Sequence, residues 1–312
     1  MTRIIKRSER ARPLTCLRAC LYAALAFTVV YLSPRLSVFV KEGLALSFNV
    51  IIPSLFPFML LTDFLSSGIM PDKEARIGKI YESLFKLEST NLPVTVLGIL
   101  GGFPIGAKLA ADRYKLGKMS KSDLERLVLI STNASPAYAI FAVGVGLLNS
   151  LYKGIFLYII MLSSCFITGI VLGVNKPLSQ NIDIITRQRY TFSESVKSSF
   201  YASINVAAFI CTFSVINGAL ATLIDVPCAL ALLFPFLEIG NAASYLSDLY
   251  ILSERFSLSL IAFSISFSGL SVISQVASVL SDTDAKIHRI AFYKLVVGVL
   301  AFLLSFLLFP IL

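Results

Sequence analysis

The run Gly101-Gly102-Phe103-Pro104-Ile105-Gly106-Ala107-Lys108, followed about one helix later by Ser131-Thr132-Asn133-Ala134-Ser135-Pro136, decides how this chain folds. Both runs are rich in helix breakers and hydrogen-bonding groups, yet both lie in stretches apolar enough to sit inside a bilayer. Hydrocarbon cannot satisfy freed N–H and C=O groups, so irregular backbone at membrane depth must be buried in protein or line a wet cavity. Two such breaks in one apolar region point to a solute site.

Working outward, apolar segments recur at 14–33, 38–68, 93–111, 124–149, 153–174, 198–224, 227–247, 256–280 and 290–310. With 56% hydrophobic and 14% charged residues, this is the composition of an all-α polytopic membrane protein. Its 312 residues hold roughly eight to ten embedded segments of about 20 residues, which leaves no room for a soluble catalytic domain. Cys16, Cys20, Cys165, Cys211 and Cys228 lack the paired spacing of a metal or redox site and read as small hydrophobes. His288, the only histidine, lies in the charged run 282–289 and has no histidine partner for a metal. No metal and no cofactor is expected.

The net charge of +9 does not indicate nucleic acid, because the basic residues sit in short loops between apolar segments, the pattern that orients membrane proteins. Arg3, Lys6, Arg7, Arg10 and Arg12 precede an apolar stretch too long for a signal-peptide core and without a small-x-small cleavage site, so a retained first helix is expected. Suppose 93–111 and 227–247 are hairpins that enter and leave by one side, while the other seven segments cross. The N-terminus, 69–92, 112–123, 175–197 and 281–289 then share the inner side. With Arg126 and Lys294 assigned to that interface, 21 of the 27 Lys and Arg are inside, Arg35, Lys41, Lys153 and Arg255 are outside, and Arg18 and Lys108 are embedded. Length agrees: the arms on either side of the Gly101-Gly102 break, about nine and eleven residues, each reach about half-way through a roughly 30 Å core.

The halves also match each other. Pro93 precedes Gly106 by thirteen residues and Pro227 precedes Gly240 by thirteen, with Ile105-Gly106 and Ile239-Gly240 at the two tips. With one added residue, Ile130-Ser131 aligns with Ile265-Ser266, and Asn49-Val50 with Asn205-Val206 upstream. The first half carries an extra amphipathic stretch, Pro71 to Glu88, suited to lie along the inner surface. The expected architecture is residues 1–34 as a basic N-terminus and first helix, then two gate-like repeats, 35–175 and 176–312. Each repeat reads helix, re-entrant hairpin, broken helix, helix. Three crossings per repeat force the second copy to be inverted, the plan of carriers with binding sites near the midplane.

Ser135-Pro136 is a sound restart for a helix, serine as cap and proline at the first position, and Pro104 starts the second hairpin arm in the same way. Helix N-termini facing one cavity favour an anion or carboxylate. The candidate substrate contacts are Gly102, Phe103, Pro104, Gly106, Ser131, Thr132, Asn133 and Ser135, with Asn241, Ser266, Ser268, Ser271 and Gln275 as counterparts in the second half. Taken singly, such small residues also serve close helix packing. Embedded charges are costly and mark function. Lys108, just past the first tip, either meets an anionic solute or snorkels to the surface. Glu238, at the second tip, carries a coupling proton or pairs with Lys108, and Asp63 lies in the second segment.

Pro53-Ser54-Leu55-Phe56-Pro57-Phe58, the Gly102-to-Lys108 and Ser131-to-Pro136 runs, and Ser268-Gly269-Leu270-Ser271 with Gln275-Val276 together resemble the sporulation integral membrane proteins of the YlbJ/SpoVV type. These belong to the larger group with the nucleoside-recognition gate domain. The resemblance spans about residues 38–310. It implies a spore-forming bacterial source and a location in the outer forespore membrane, to which the charge map adds a multi-pass protein with a cytoplasmic N-terminus. It further implies transport of dipicolinic acid, a small planar dianion, toward the forespore. Any coupling ion is expected to be a proton or sodium. A nucleoside or nucleobase carrier, and a membrane assembly factor for spore formation, remain alternatives. An enzyme is not expected, because the chain has no Gly-x-Ser-x-Gly turn, no phosphate-binding glycine loop and no paired metal ligands.

Overall fold

The computed structural model describes residues 33–53, 56–57, 59–61, 76–117, 119–178 and 191–312, with scattered positions between 20 and 30. Most of the expected first helix, Asp63 and the loop 179–190 lie outside the described residues. Helix α1 covers 33–53 and includes a π-helical turn at Ser47–Ile51. It is followed by α2 (Arg76–Phe85), α3 (Leu92–Gly101), α4 (Ile105–Lys115), α5 (Lys121–Ser131) and α6 (Ala137–Leu147), the last wound as a π-helix. Then come α7 (Leu151–Gly173), α8 (Phe192–Leu223), α9 (Pro227–Leu237), α10 (Ile239–Asp248), α11 (Glu254–Phe267), α12 (Gly269–Val279) and α13 (Ile287–Leu308). No strand occurs among the described residues.

Side-chain caps set the helix starts. Ser120, Ser150 and Ser253 accept from the N–H groups of Asp123, Lys153 and Phe256, and Thr191 with Glu194 forms a capping box at the head of α8. The ends are set by backbone that only particular residues tolerate. α3 stops where Gly102 takes φ +81°, and α11 stops at Ser268, φ +79°, followed by Gly269 at +65°.

Among the described residues four stretches are long and apolar enough to cross a membrane: α7, α8, α13 and the α11–α12 stretch Glu254–Val279. The chain is a polytopic all-α membrane protein. In its most apolar window α11–α12 is 83% buried against 33–39% for the other three, so α11–α12 lies inside the bundle and α7, α8 and α13 present apolar flanks. Phe292, Val296, Val299 and Leu303 on α13 and Ile159 and Val171 on α7 are exposed accordingly. α2 buries Tyr81 and Phe85 but exposes Ile77, Ile80 and Leu84. The Tyr81 hydroxyl bonds to Thr95 Oγ1 (2.9 Å), docking α2 on α3, and burial pushes this phenol above the usual tyrosine range.

Contacts in the two halves run in parallel. α3 packs on α4, and both on α5; α9 packs on α10, and both on α11. α6 packs on α7 as α12 does on α13, while α5 meets α13 and α11 meets α7. Two contacts cross between halves in the same reciprocal way: α4 against α12, and α10 against α6.

Charged loops gather at the two ends of the bundle. At one end Arg113 donates to Asn91 Oδ1 and Thr90 Oγ1 (both 2.9 Å), so α3 leaves from where α4 returns. Lys115 pairs with Asp282 (3.1 Å), Tyr114 donates to Asp284 (2.8 Å), and Glu125 accepts from the Lys286 N–H (2.9 Å). Arg126, paired with Asp123, donates to the carbonyls of Phe85 and Lys86. At the other end Lys153 pairs with Glu254, and Arg255 donates to the Phe306 carbonyl (2.7 Å).

Candidate functional site

Each hairpin tip is pressed against a helix break, and glycine makes the approach possible. The Ser131 carbonyl at the end of α5 lies between Gly98 and Gly106: a Cβ on either would stand 2.2 or 2.1 Å from that oxygen. A Cβ on Gly102 would stand 3.0 Å from the Ser135 nitrogen, so the turn of the first hairpin faces the restart of the broken helix. In the second half a Cβ on Gly269 would stand 3.0 Å from the Leu237 carbonyl oxygen and 3.3 Å from Glu238 Cα. Both breaks anticipated from the sequence are thus seated on the hairpin tips of their own halves.

The first break is built as its residues imply. Ser131 Oγ donates back to the Leu127 carbonyl (2.7 Å), and Thr132 to Ala134 leave the helix. The Ser135 hydroxyl accepts from the Tyr138 N–H (3.2 Å), starting α6 one residue before Pro136. Asn133 Nδ2 donates to the Ile130 carbonyl (2.8 Å), which leaves its Oδ1 facing the other way. Phe103 and Ile105 are buried beside the first tip, and Gln275 is buried in α12. The hydroxyls of Thr132, Ser266, Ser268 and Ser271 are buried and find no hydrogen-bond partner among the described residues. Unpaired buried hydroxyls cost stability, so the pair Thr132 and Ser268, which border one cavity, needs a reason.

The embedded charges fall differently from expectation. Lys108 reaches Ser198 on α8 (2.8 Å), and Glu238 is not its partner. Glu238 instead caps its own hairpin arm: its carboxylate accepts from the N–H groups of Gly240 (2.9 Å) and Asn241 (2.6 Å) and is buried there. Asn241 enters the site through its backbone, its side chain being half-buried.

Lys294 corrects the charge map. Assigned above to the inner interface with Arg126, it is 2% exposed. Its ammonium donates to the Thr132 carbonyl and to Asn133 Oδ1 (3.1 Å). The buried Cys165 thiol donates to the nearby Leu129 carbonyl (3.3 Å). Lys294 stands one turn inside the last apolar segment, close enough to the charged run 282–289 to read as a surface residue. What draws it inward is the packing of α13 on α5.

A small cavity lies between the halves, lined by Val128, Thr132, Ser268, Val272, Ile273, Val276, Ile290 and Lys294. It has room for about one water molecule. Thr132 from the first break, Ser268 from the second and Lys294 therefore border one space, through the apolar parts of their side chains. Among the described residues no cluster of His, Cys, Asp and Glu is arranged to hold a metal ion.

No family model and no solved structure matches the chain. It is similar to the sporulation integral membrane protein YlbJ of Bacillus subtilis (strain 168), 25% identical over 310 residues, a match covering 84% of this chain and 74% of that protein. The YlbJ likeness covers most of the chain and so is not confined to the quoted motifs.

Proposed function

We propose that this protein is a secondary carrier for a small anionic solute, dipicolinate above all, and that it moves the solute toward the developing forespore during sporulation. The observation that carries the proposal is the meeting of two seated helix breaks from opposite halves around one small cavity, beside the unpartnered Thr132 and Ser268 hydroxyls and the buried Lys294. The restart of α6 aims backbone N–H groups toward the same region, which favours a carboxylate. Hydroxyls orient a polar ligand, and Lys294 keeps the region positive.

The reciprocal contacts support an inverted pair of repeats with the hairpins re-entrant from opposite sides. The positive-inside rule then sets 85–91, 113–126 and 281–289 in the cytoplasm together with the N-terminus. The apolar row Ile77, Ile80 and Leu84 suits α2 to the inner bilayer surface. A cavity sized for one water admits no dicarboxylate until hairpin tips and breaks part, so the structure corresponds to a closed state of such a carrier. The sporulation setting follows the name of the Bacillus subtilis relative.

Uptake of labelled dipicolinate and uridine into proteoliposomes, with and without a pH gradient, tests this reading. Saturable dipicolinate uptake is expected. Uridine uptake alone would make the protein a nucleoside carrier, and uptake of neither would favour an assembly factor.

A further inference from the structure

The end of α5 carries the carbonyl groups that no helix turn satisfies, and a helix C-terminus bears partial negative charge. Buried in a bundle, such a terminus calls for a cation. Discontinuous helices in carriers answer with a soluble ion held by unwound carbonyls. Here the position is filled from within the chain. The Lys294 ammonium, arriving from α13, donates to the Thr132 carbonyl and to Asn133 Oδ1. Asn133 is oriented for this, since its Nδ2 is spent on the Ile130 carbonyl.

Two features set this apart from a buried ion pair. No carboxylate lies within ion-pair distance of Lys294 among the described residues, so its charge is met by neutral oxygen dipoles alone. Thr132 and Ser268, whose hydroxyls are unpartnered, border the same small cavity as Lys294. A neutral carbonyl and an amide oxygen are donors that suit a monovalent cation replacing its hydration shell. An ammonium offers three N–H donors to the same oxygens. The contact also joins the halves, since the oxygens come from the break of the first and the ammonium from the last helix of the second.

We propose that Lys294 is a built-in cation: its ammonium takes the place of a soluble monovalent ion at the α5 break, so the protein needs no sodium there. Shortening the side chain opens an oxygen-lined space that sodium or a small ammonium ion enters from solution. The transport consequence rests on the carrier reading above, whereas the binding consequence does not.

The test compares detergent-solubilised wild type and Lys294→Ala by thermal unfolding in sodium chloride, methylammonium chloride and choline chloride at equal ionic strength. The wild-type midpoint is expected to be the same in all three. That of Lys294→Ala should be lower in choline and rise with the logarithm of sodium or methylammonium concentration, as mass action on the folded state requires. A Lys294→Ala midpoint insensitive to both cations, or a wild type stabilised by sodium as much as the variant, would overturn the proposal. Should Lys294→Ala fail to fold in every medium, Lys294→Ser carries the same measurement, its short side chain leaving the space open while adding one oxygen. In proteoliposomes, Lys294→Ala uptake of dipicolinate should be lost in choline and regained in sodium, with wild-type uptake indifferent to sodium. A wild type that transports nothing would sink the carrier reading, and the unfolding arm would still decide the role of Lys294.

Discussion

Replacing Gly106 with alanine puts a methyl group 2.1 Å from the Ser131 carbonyl oxygen, 2.5 Å from its carbon and 2.7 Å from its hydroxyl. Ordinary contact begins near 3.4 Å, so about 1.3 Å of movement is needed, and every atom in the way belongs to the end of α5. Backbone at a seated break has little freedom: α5 is held by the Arg126 contacts and by Lys294 on Thr132. Overpacking of this kind costs about 1–3 kcal/mol. Gly146, in α6, is the control, because a Cβ there meets only the Phe141 carbonyl at 3.5 Å, ordinary contact. Gly146→Ala is expected within about 0.5 kcal/mol of wild type, as for surface changes that create no clash. Thermal unfolding in detergent, followed by loss of monodisperse protein on size exclusion, should show a clear drop for Gly106→Ala and almost none for Gly146→Ala. If the two variants melt together, the tip is not seated on the break and the proposed site loses its frame.

Asn133→Leu removes an oriented acceptor from a buried ammonium and should cost about 1.5–3 kcal/mol, read as a lowered unfolding midpoint. Ser268→Ala deletes a hydroxyl without a partner, so stability should hold or rise while dipicolinate uptake falls; unchanged uptake would take Ser268 out of the solute path. Lys108→Met loses the half-buried contact to Ser198 and should lower the unfolding midpoint. If Lys108 faces the solute in an open state, the same variant lowers dipicolinate uptake and spares uridine. In a cysteine-free background, Tyr250→Cys should react with an impermeant maleimide from outside intact cells and Ser281→Cys only after permeabilisation; the reverse pattern would invert the orientation.

The sequence revealed what depends on local chemistry. Gly101-Gly102, Ser131-Thr132-Asn133 and Ser268-Gly269 stand out because hydrocarbon-facing helices do not tolerate them, and Ser135-Pro136 carries its own restart signal. Arg113 bonded to Asn91 and Thr90 brings the foot of α4 beside the start of α3. The contacts of Lys294 and Glu238 are not legible in the sequence for one reason. The environment of an ionisable side chain is set by what packs across from it, and sequence gives only its distance from a segment end. Lys294 looked superficial at one turn from a charged loop, and Glu238 looked like a partner for Lys108 when its nearest donors were the next N–H groups of its own chain. The π-helical winding of α6 has no sequence signal we can name.

The reciprocal contacts bear on how such a site would work. Because α4 packs on α12 and α10 on α6, the returning arm of each hairpin rests on the restarted half of the other repeat's broken helix. Close packing does not deform continuously, so withdrawing the first tip from Ser131 must either strip α4 from α12 or carry α12 with it. In the second case Gly269 shifts against Leu237 and Glu238, and opening at one junction is felt at the other. Lys294 is anchored to the first break and borders the cavity that Ser268 also borders. A ligand that prefers one arrangement of the first junction therefore biases the second through contacts already present, which is the minimum that coupling between two gates requires.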